Sequence, residues 1–285
     1  MQVYIYAKSG HNFGLENVRR ASALCNIFKS TDPILCTADY RAATFAKSEL
    51  GINRGVGIDV IGNLPHVMER GDILIYDDSD EASDTMQEHM EQFCSNLYKV
   101  GKDIPFDIVD DTFKNDTETK YEKAIFFADD DYANWFFELA LESTKQDIPM
   151  ILGHYFFLGN DEKLKKSFNE LIEEEDYIDT IKTTKYLLSG SIHSCLESIA
   201  SGNFPVFFKR KDKETIENIE LLDKYNIPTA SGDSLDEIIN DFNKIIKNYP
   251  EIKTLEKFDF STIEKEINDT IKKFDMIQPS LDYKF

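Results

Sequence analysis

The run from 185 to 232, KYLLSGSIHSCLESIASGNFPVFFKRKDKETIENIELLDKYNIPTASG, constrains the fold more than any other part of the chain. It reads as strand, glycine turn, helix, strand and helix in immediate succession. An apolar segment at 186–188 runs into Ser189-Gly190-Ser191, and a short helix carrying His193 and Glu197 ends at Gly202. A second apolar strand at 205–208 then delivers a polar loop at 209–214. This order predicts a parallel α/β sheet with Ser/Gly backbone donors, a helix N-terminus and one carboxylate at its carboxyl edge, where open α/β sheets hold ligands.

The rest of the sequence alternates in the same way. Strands are expected at 2–7, 33–36, 57–61, 72–76 and 96–100, with helices at 16–28, 41–50 and 83–93. The polar stretch KNDTETKYE at 114–122 interrupts the pattern, which then restarts with strands at 124–127 and 149–152 and helices at 132–144 and 162–173. Helices at 235–247 and 261–274 follow. Short apolar strands between amphipathic helices imply parallel sheets covered on both faces. The expected fold is α/β, with two Rossmann-like domains facing a cleft, 1–118 and 119–285.

Composition narrows the function classes. A net charge of −21 over 285 residues argues against a nucleic-acid partner, because neutralising phosphates needs clustered Lys and Arg. The basic clusters are Arg19-Arg20 and Lys209-Arg210-Lys211, each beside a loop expected to face a ligand. The four cysteines, Cys25, Cys36, Cys94 and Cys195, form no CxxC pair and are read as small buried apolar residues. No apolar run approaches the roughly 20 residues of a membrane span. MQVYIYAKSG lacks the features of a signal peptide, so a cytoplasmic protein is expected.

The second informative loop is AKSGHNFGLENVRRASAL, which joins the first strand to the first helix. Gly10 and Gly14 permit a tight turn that brings backbone close to a ligand. His11 lies between them, and an imidazole with its ordinary pKa near 6.5 suits either a general base or a polar clamp.

Acidic clusters follow three apolar segments: Asp77-Asp78, Asp110-Asp111 and Asp129-Asp130-Asp131. The trio reads as helix capping in a solvated loop, or as hard oxygen ligands for Mg²⁺. His154 follows the strand at 149–152, and Trp135-Phe136-Phe137 is read as core.

The run at 185–232 resembles the nucleotide-sugar half of GT-B proteins, especially the N-acetylglucosaminyltransferase that makes lipid II and the UDP-sugar hydrolase of pseudaminic acid biosynthesis. Ser189-Gly190, Glu197 five residues before Gly202, Pro205 opening a strand, and the charged loop beginning at Lys211 carry the resemblance. It implies that Glu197 binds a ribose and that Ser189, Gly190, Ser191, His193 and Lys211 surround the nucleotide. Gly10-His11 and Gly14-Leu15 are similar to the transferase's Gly-Gly-His loop, whereas Leu15 stands where the hydrolase has its histidine. A glycine-rich phosphate loop is replaced by Asp129-Asp130-Asp131.

The resemblance implies glycosyl transfer or hydrolysis of a nucleotide-diphosphate sugar, most simply a UDP-sugar. It implies His11 as catalytic base, Gly10 and Gly14 beside the substrate, a last helix at 261–274 that crosses back to brace the first domain, and no cofactor or metal. Two alternatives stand beside it: a noncatalytic binding protein on the same scaffold, and a Mg²⁺-dependent phosphate enzyme.

Overall fold

The computed structural model describes residues 1–77, 83–114, 118–157, 159–213 and 216–277. By contacts the chain divides into two compact units. The first takes described residues of Met1–Lys8, Asn17–Ile108 and Lys257–Phe285, and the second those of Ser9–Glu16 and Val109–Glu256. Of the polar stretch at 114–122, residues 115–117 lie outside the described residues.

The first unit is built on β1 (Val3–Ala7), β2 (Ile34–Thr37), β3 (Gly55–Gly57), β4 (Ile73–Asp77) and β5 (Asn96–Lys99), interleaved with α1 (Glu16–Ile27), α2 (Tyr40–Ser48) and α3 (Asp84–Phe93). All pairings are parallel, in the order β3-β2-β1-β4-β5. Every residue of β1 is buried, as befits a central strand packed on both faces, and Ile5 stands opposite Leu35 and Ile75. Asp72 ties the strand starts together by accepting from the Gln2 N–H at 2.7 Å and the Glu69 N–H at 2.8 Å.

One strand expectation fails here. The strand expected at 57–61 lies earlier, as β3, and Ile61–His66 is a 3₁₀ turn. Asp59 Oδ1 accepts from the Val60 N–H and the Asn63 side chain, closing the backbone locally, and Pro65 has no N–H to give a ladder.

The second unit contains β6 (Tyr121–Phe126), α4 (Trp135–Glu142), β7 (Met150–Ile151), α5 (Asn160–Leu164), β8 (Leu171–Ile172), α6 (Tyr177–Thr183), β9 (Thr184–Ser189), α7 (Ile192–Ala200), β10 (Phe204–Phe208), α8 (Ile216–Tyr225), β11 (Thr229–Ala230) and α9 (Leu235–Lys247). Its sheet is parallel throughout, in the order β11-β10-β9-β6-β7-β8. Counted along the unit, this is the doubly wound order 3-2-1-4-5-6. Phe127, Phe136, Phe168 and Phe208 fill its core together with Leu235, Ile238 and Phe242 of α9.

The helix expected at 162–173 stops at Leu164. Gln146 takes the backbone beyond it into sheet-like pairing, its N–H donating to Ser167 O at 2.7 Å and its carbonyl accepting from the Asn169 N–H at 3.0 Å. That pairing leads into β8, which the sequence pattern missed, as it missed α6 and the two-residue β11. The last helix, α10 (Ser261–Ile277), belongs to the first unit, where Phe260 packs edge-on to Phe28 at 5.6 Å and Glu266 accepts from Tyr98 Oη at 2.8 Å. Among the described residues no helix is long and apolar enough to cross a membrane.

The pair Arg19-Arg20, expected beside a ligand, is instead buried in the first unit. Arg20 donates to Asp77 Oδ2 at 2.7 Å, to Asn17 Oδ1 and to Phe106 O, both at 3.1 Å, and its guanidinium lies over the Phe106 ring. Removing one member of a buried pair strands the other's charge. Arg20→Ala is therefore expected to lower unfolding free energy by about 3–5 kcal/mol. In urea melts, Arg20→Met combined with Asp77→Asn should recover part of that loss; equal losses in both variants would show the pair to be energetically idle.

Candidate functional site at the carboxyl edge of the second sheet

In a sheet of order 3-2-1-4-5-6 the crossovers leave in opposite directions from the two central strands, opening a crevice at their carboxyl ends. In the second unit those strands are β6 and β9. Beyond them lie Phe127 to Asp131 on one side and Ser189-Gly190-Ser191 on the other, flanked by Gly153-His154 after β7 and Lys209 to Lys213 after β10. Residues 9–16 belong to the same unit and complete the edge.

Two close approaches set this edge. A side chain on Gly190 would put Cβ 2.6 Å from Phe127 O and 3.1 Å from Arg210 Cγ, and one on Gly153 would lie 2.4 Å from Ala128 O. The chain beyond β6 is thus held between two backbones that carry no Cβ. It is pinned further by hydrogen bonds from Gly190 N–H to Phe127 O at 3.0 Å and from Tyr155 N–H to Asp129 O at 2.8 Å.

The three aspartates that follow are all buried, and each meets a different partner. Asp129 Oδ2 accepts from the Leu15 N–H at 3.1 Å, and its Oδ1 lies 3.2 Å from His154 Nδ1. Asp130 receives both Nη atoms of Arg210, at 3.2 and 3.1 Å, and Lys213 Nζ at 2.8 Å. Asp131 accepts from the Phe136 and Phe137 N–H groups at the start of α4. Burial pushes the Asp131 carboxyl above its ordinary value, against the pull of those two amides. Among the described residues no group of three or more His, Cys, Asp or Glu side chains converges to hold a metal ion.

Arg210 is the fixed cation of the edge. Besides Asp130 it donates from Nε to Asp212 Oδ1 at 3.0 Å and from Nη2 to Asp212 Oδ2 at 2.6 Å, and its Cζ lies 4.4 Å from the Phe127 ring centroid. Burial works against its charge, but the two aspartates outweigh it and hold the guanidinium above its ordinary pKa. The Asp212 carboxyl is held below its usual range: burial opposes ionisation, and the hydrogen bond and charge of Arg210 prevail.

The residues expected around a nucleotide lie at different depths. Gly10 closes the first loop by accepting from the Phe13 and Gly14 N–H groups, and Gly14, at φ +77°, sits against Asp129 where a Cβ would come within 3.1 Å of Asp129 Cβ. His11 is exposed, edge-on to Tyr155 at 5.2 Å and stacked with Phe157 at 6.2 Å. Lys211 is exposed and pairs with Asp233 at 3.2 Å. Ser189, Ser191, His193 and Glu197 are buried.

Ser189 Oγ accepts from the Ser191 N–H at 3.1 Å, and Ser191 Oγ caps α7 by accepting from the Ser194 N–H at 3.1 Å. Glu197, 0% exposed, accepts a hydrogen bond from Tyr177 Oη and has His193 Nε2 3.4 Å from its Oε1. The structure therefore brings Gly14 together with Asp129, and Gly190 with Arg210. It places Glu197 and His193 in an interior polar cluster with Tyr177 and Ser194. The pairing of Asp129 with His154, and the roles of Arg210, Asp212 and Lys213, escaped sequence reasoning. The glycine immediately before His154 was the available signal.

No family model matches the chain, and no curated protein matches it. Solved structures similar to it include the E. coli heptosyltransferase WaaC with ADP-2-deoxy-2-fluoro heptose, at 11% identity over 88% of this chain and 100% of that one, with a TM-score of 0.44. A glycosyltransferase from Rickettsia africae is similar at 8% identity over 86% and 88% of the two chains, TM-score 0.47. The glycotransferase of kitacinnamycin is similar at 9% over 98% of each chain, TM-score 0.41.

Two measurements check the edge. Gly190→Ala must displace Phe127 O or the Arg210 stem, and is expected to cost about 1–3 kcal/mol in chemical denaturation; an unchanged midpoint would show that the approach is slack. The Asp212–Arg210 contact adds a pH dependence whose sign follows from the lowered carboxyl. Its stabilisation is present above the unfolded carboxylate pKa of about 4 and is lost as pH falls through the still lower folded value. Thermal melts from pH 6 to 2 should fall less steeply at the acid end for Asp212→Asn than for the wild type.

Proposed function

We propose that the chain binds a nucleotide-diphosphate sugar at the carboxyl edge of the second sheet and transfers or hydrolyses its sugar. The observation that carries this reading is the convergence, at the β6/β9 switch point of a doubly wound sheet, of a glycine loop bearing His11, an imidazole at His154, and the cations Arg210 and Lys213. The resemblance at 185–232 supports the same ligand class, and a UDP-sugar is its simplest member. The chain's charge of −21 disfavours a polyanionic partner, so local cations are needed to receive a diphosphate. Lys213, with 31% of its side chain exposed, and exposed Lys211 are positioned for that part.

Of the two roles open to His11, the packing on Tyr155 and Phe157 supports the clamp: a ring held by aromatic neighbours offers a face to a sugar or base. Gly10 and Gly14 then shape the loop beside the ligand. Ser189, Gly190, Ser191, His193 and Glu197 act from below, by fixing the backbone on which the ligand rests.

A second reading is a noncatalytic binding protein on the same framework. One observation favours it: the Gly190 and Ser191 amides, natural phosphate donors, are already bonded to Phe127 O and Ser189 Oγ.

A thermal-shift screen of UDP- and ADP-sugars, repeated with EDTA, tests the proposal. A binder at 100 times its Kd adds about 2.7 kcal/mol, and the shift should persist in EDTA. With the best donor, His11→Ala is expected to raise KM by about tenfold, ~1.4 kcal/mol, with kcat nearly unchanged. Binding without turnover, tried with and without acceptors, would select the noncatalytic reading; absence of any shift would reject the ligand class.

A further inference from the structure

Resting on the glycosyl-transfer reading, we infer that Tyr132, Phe157 and His11 form a stacking subsite for an uncharged saccharide, the acceptor to which the sugar is transferred. Tyr132 is 56% exposed and Phe157 40%, and their ring centroids lie 6.4 Å apart with the planes tilted by 38°. His11, also exposed, continues the surface, its ring inclined by 12° to that of Phe157 at 6.2 Å. Single exposed aromatic side chains are ordinary on a protein surface. Three adjoining rings at the carboxyl edge of a doubly wound sheet stand where such sheets hold ligands.

The backbone beneath holds the rings in place. Tyr132 follows Asp131, whose carboxylate is fixed by the amides of α4 and whose carbonyl accepts from the Asn134 N–H at 2.9 Å. In the loop after β7 the Phe156 N–H bonds Gly153 O at 3.1 Å and the Phe156 ring packs on the core, leaving Phe157 at the surface. The Phe157 carbonyl accepts from the Asn160 N–H at 3.0 Å. Asn160 Nδ2 then donates to Asn134 Oδ1 at 3.1 Å, stapling the loop after β6 to the loop after β7. A platform set in this way lowers the ordering cost of binding.

Charge and shape select the ligand. Arg210 and Lys213 follow β10, which β9 and β6 separate from β7, and among the described residues no ion pair or cation–π contact involves the three rings. The group that rests on them is therefore uncharged. The tilt between Tyr132 and Phe157 makes a shallow angle, which suits the thickness of a pyranose chair better than a planar base. Pyranose C–H bonds present their positive ends to the negative ring faces. Beside the rings, the Asn134–Asn160 bond leaves Asn134 Nδ2 as a donor and Asn160 Oδ1 as an acceptor for hydroxyl groups. In transfer, a hydroxyl oxygen of this saccharide bonds to the donor's anomeric carbon as the bond from that carbon to the diphosphate oxygen breaks. The nucleoside diphosphate leaves with the electron pair, and the hydroxyl proton passes to solvent.

Saccharide titrations of the full chain, without donor, test the platform separately from the donor screen. The probes are methyl β-glucoside, methyl β-galactoside, methyl N-acetyl-β-glucosaminide, cellobiose and lactose. Binding is read from the fluorescence of Trp135, the chain's single tryptophan, close in sequence to Tyr132. At least one probe should bind with a Kd of about 10 mM or tighter. Tyr132→Ala and Phe157→Leu should each raise that Kd about tenfold, the loss of one stacked ring. Tyr132→Phe keeps the ring and should keep the affinity, as should Tyr40→Ala, which removes an 83%-exposed ring from the first unit. No binding by any probe, equal affinity in Tyr132→Ala and Phe157→Leu, or the same loss in Tyr40→Ala overturns the subsite. So does tighter binding of uridine or adenosine that the two substitutions abolish, which would make the platform a base site. A change in sedimenting mass of the double variant overturns it in favour of a contact between copies of the chain. With the donor from the ligand screen, the bound saccharide should be glycosylated; a donor and a saccharide that both bind without transfer overturn the acceptor role. Failure of the donor screen alone rejects glycosyl transfer and with it that role, while the titration still reports on the platform.

Discussion

The second unit depends on one steric constraint: the chain leaving β6 passes between two neighbours that must carry no side chain. Gly190 and Gly153 bring their backbones against the carbonyls of Phe127, Ala128 and Asp129. The approach lets Phe127 fill the space under Arg210 and delivers three successive aspartates to three different partners. A wider separation would leave buried carboxylates without the hydrogen bonds that make their burial tolerable. Position, charge and packing at this edge therefore share one geometric cause.

The aspartate trio shows how far residue type alone can lead. In sequence, three adjacent carboxylates suggest repulsion and hence a cation or solvent. In the fold, successive side chains diverge, and each meets a partner brought from elsewhere: an imidazole after β7, a guanidinium after β10, the amides of α4. Those partners lie 25, 80 and 5 residues along the chain. Only the last is within the reach of a local pattern.

The same distinction separates what the sequence disclosed from what it hid. The elements whose signal is local were legible. The helix expected at 235–247 is α9, because Leu235, Ile238, Ile239 and Phe242 repeat at helical spacing behind the Ser234 cap. Strands β1, β4 and β9 were legible as apolar runs. Elements made by partners were not: β8 and β11 are two residues each and exist through pairing, and the expected helix at 162–173 yielded to Gln146. At the site, the glycines of both loops could be read, since they answer to backbone demands. The depth of Glu197 and Arg20 could not, because an isolated charge in a sequence looks the same whether its partner is water or Tyr177 and Asp77.

The assignment of α10 to the first unit has a consequence for the order of assembly. During synthesis Tyr98 and Phe28 emerge well before Glu266 and Phe260, the residues they pack against. Apart from residues 9–16, the second unit is one uninterrupted span, Val109–Glu256, and is complete before that closing segment leaves the ribosome. Domains usually mature from the N-terminus as the chain lengthens. Here the first unit is the last to be finished, and until it is, the surface awaiting α10 is open to whatever else would cover it.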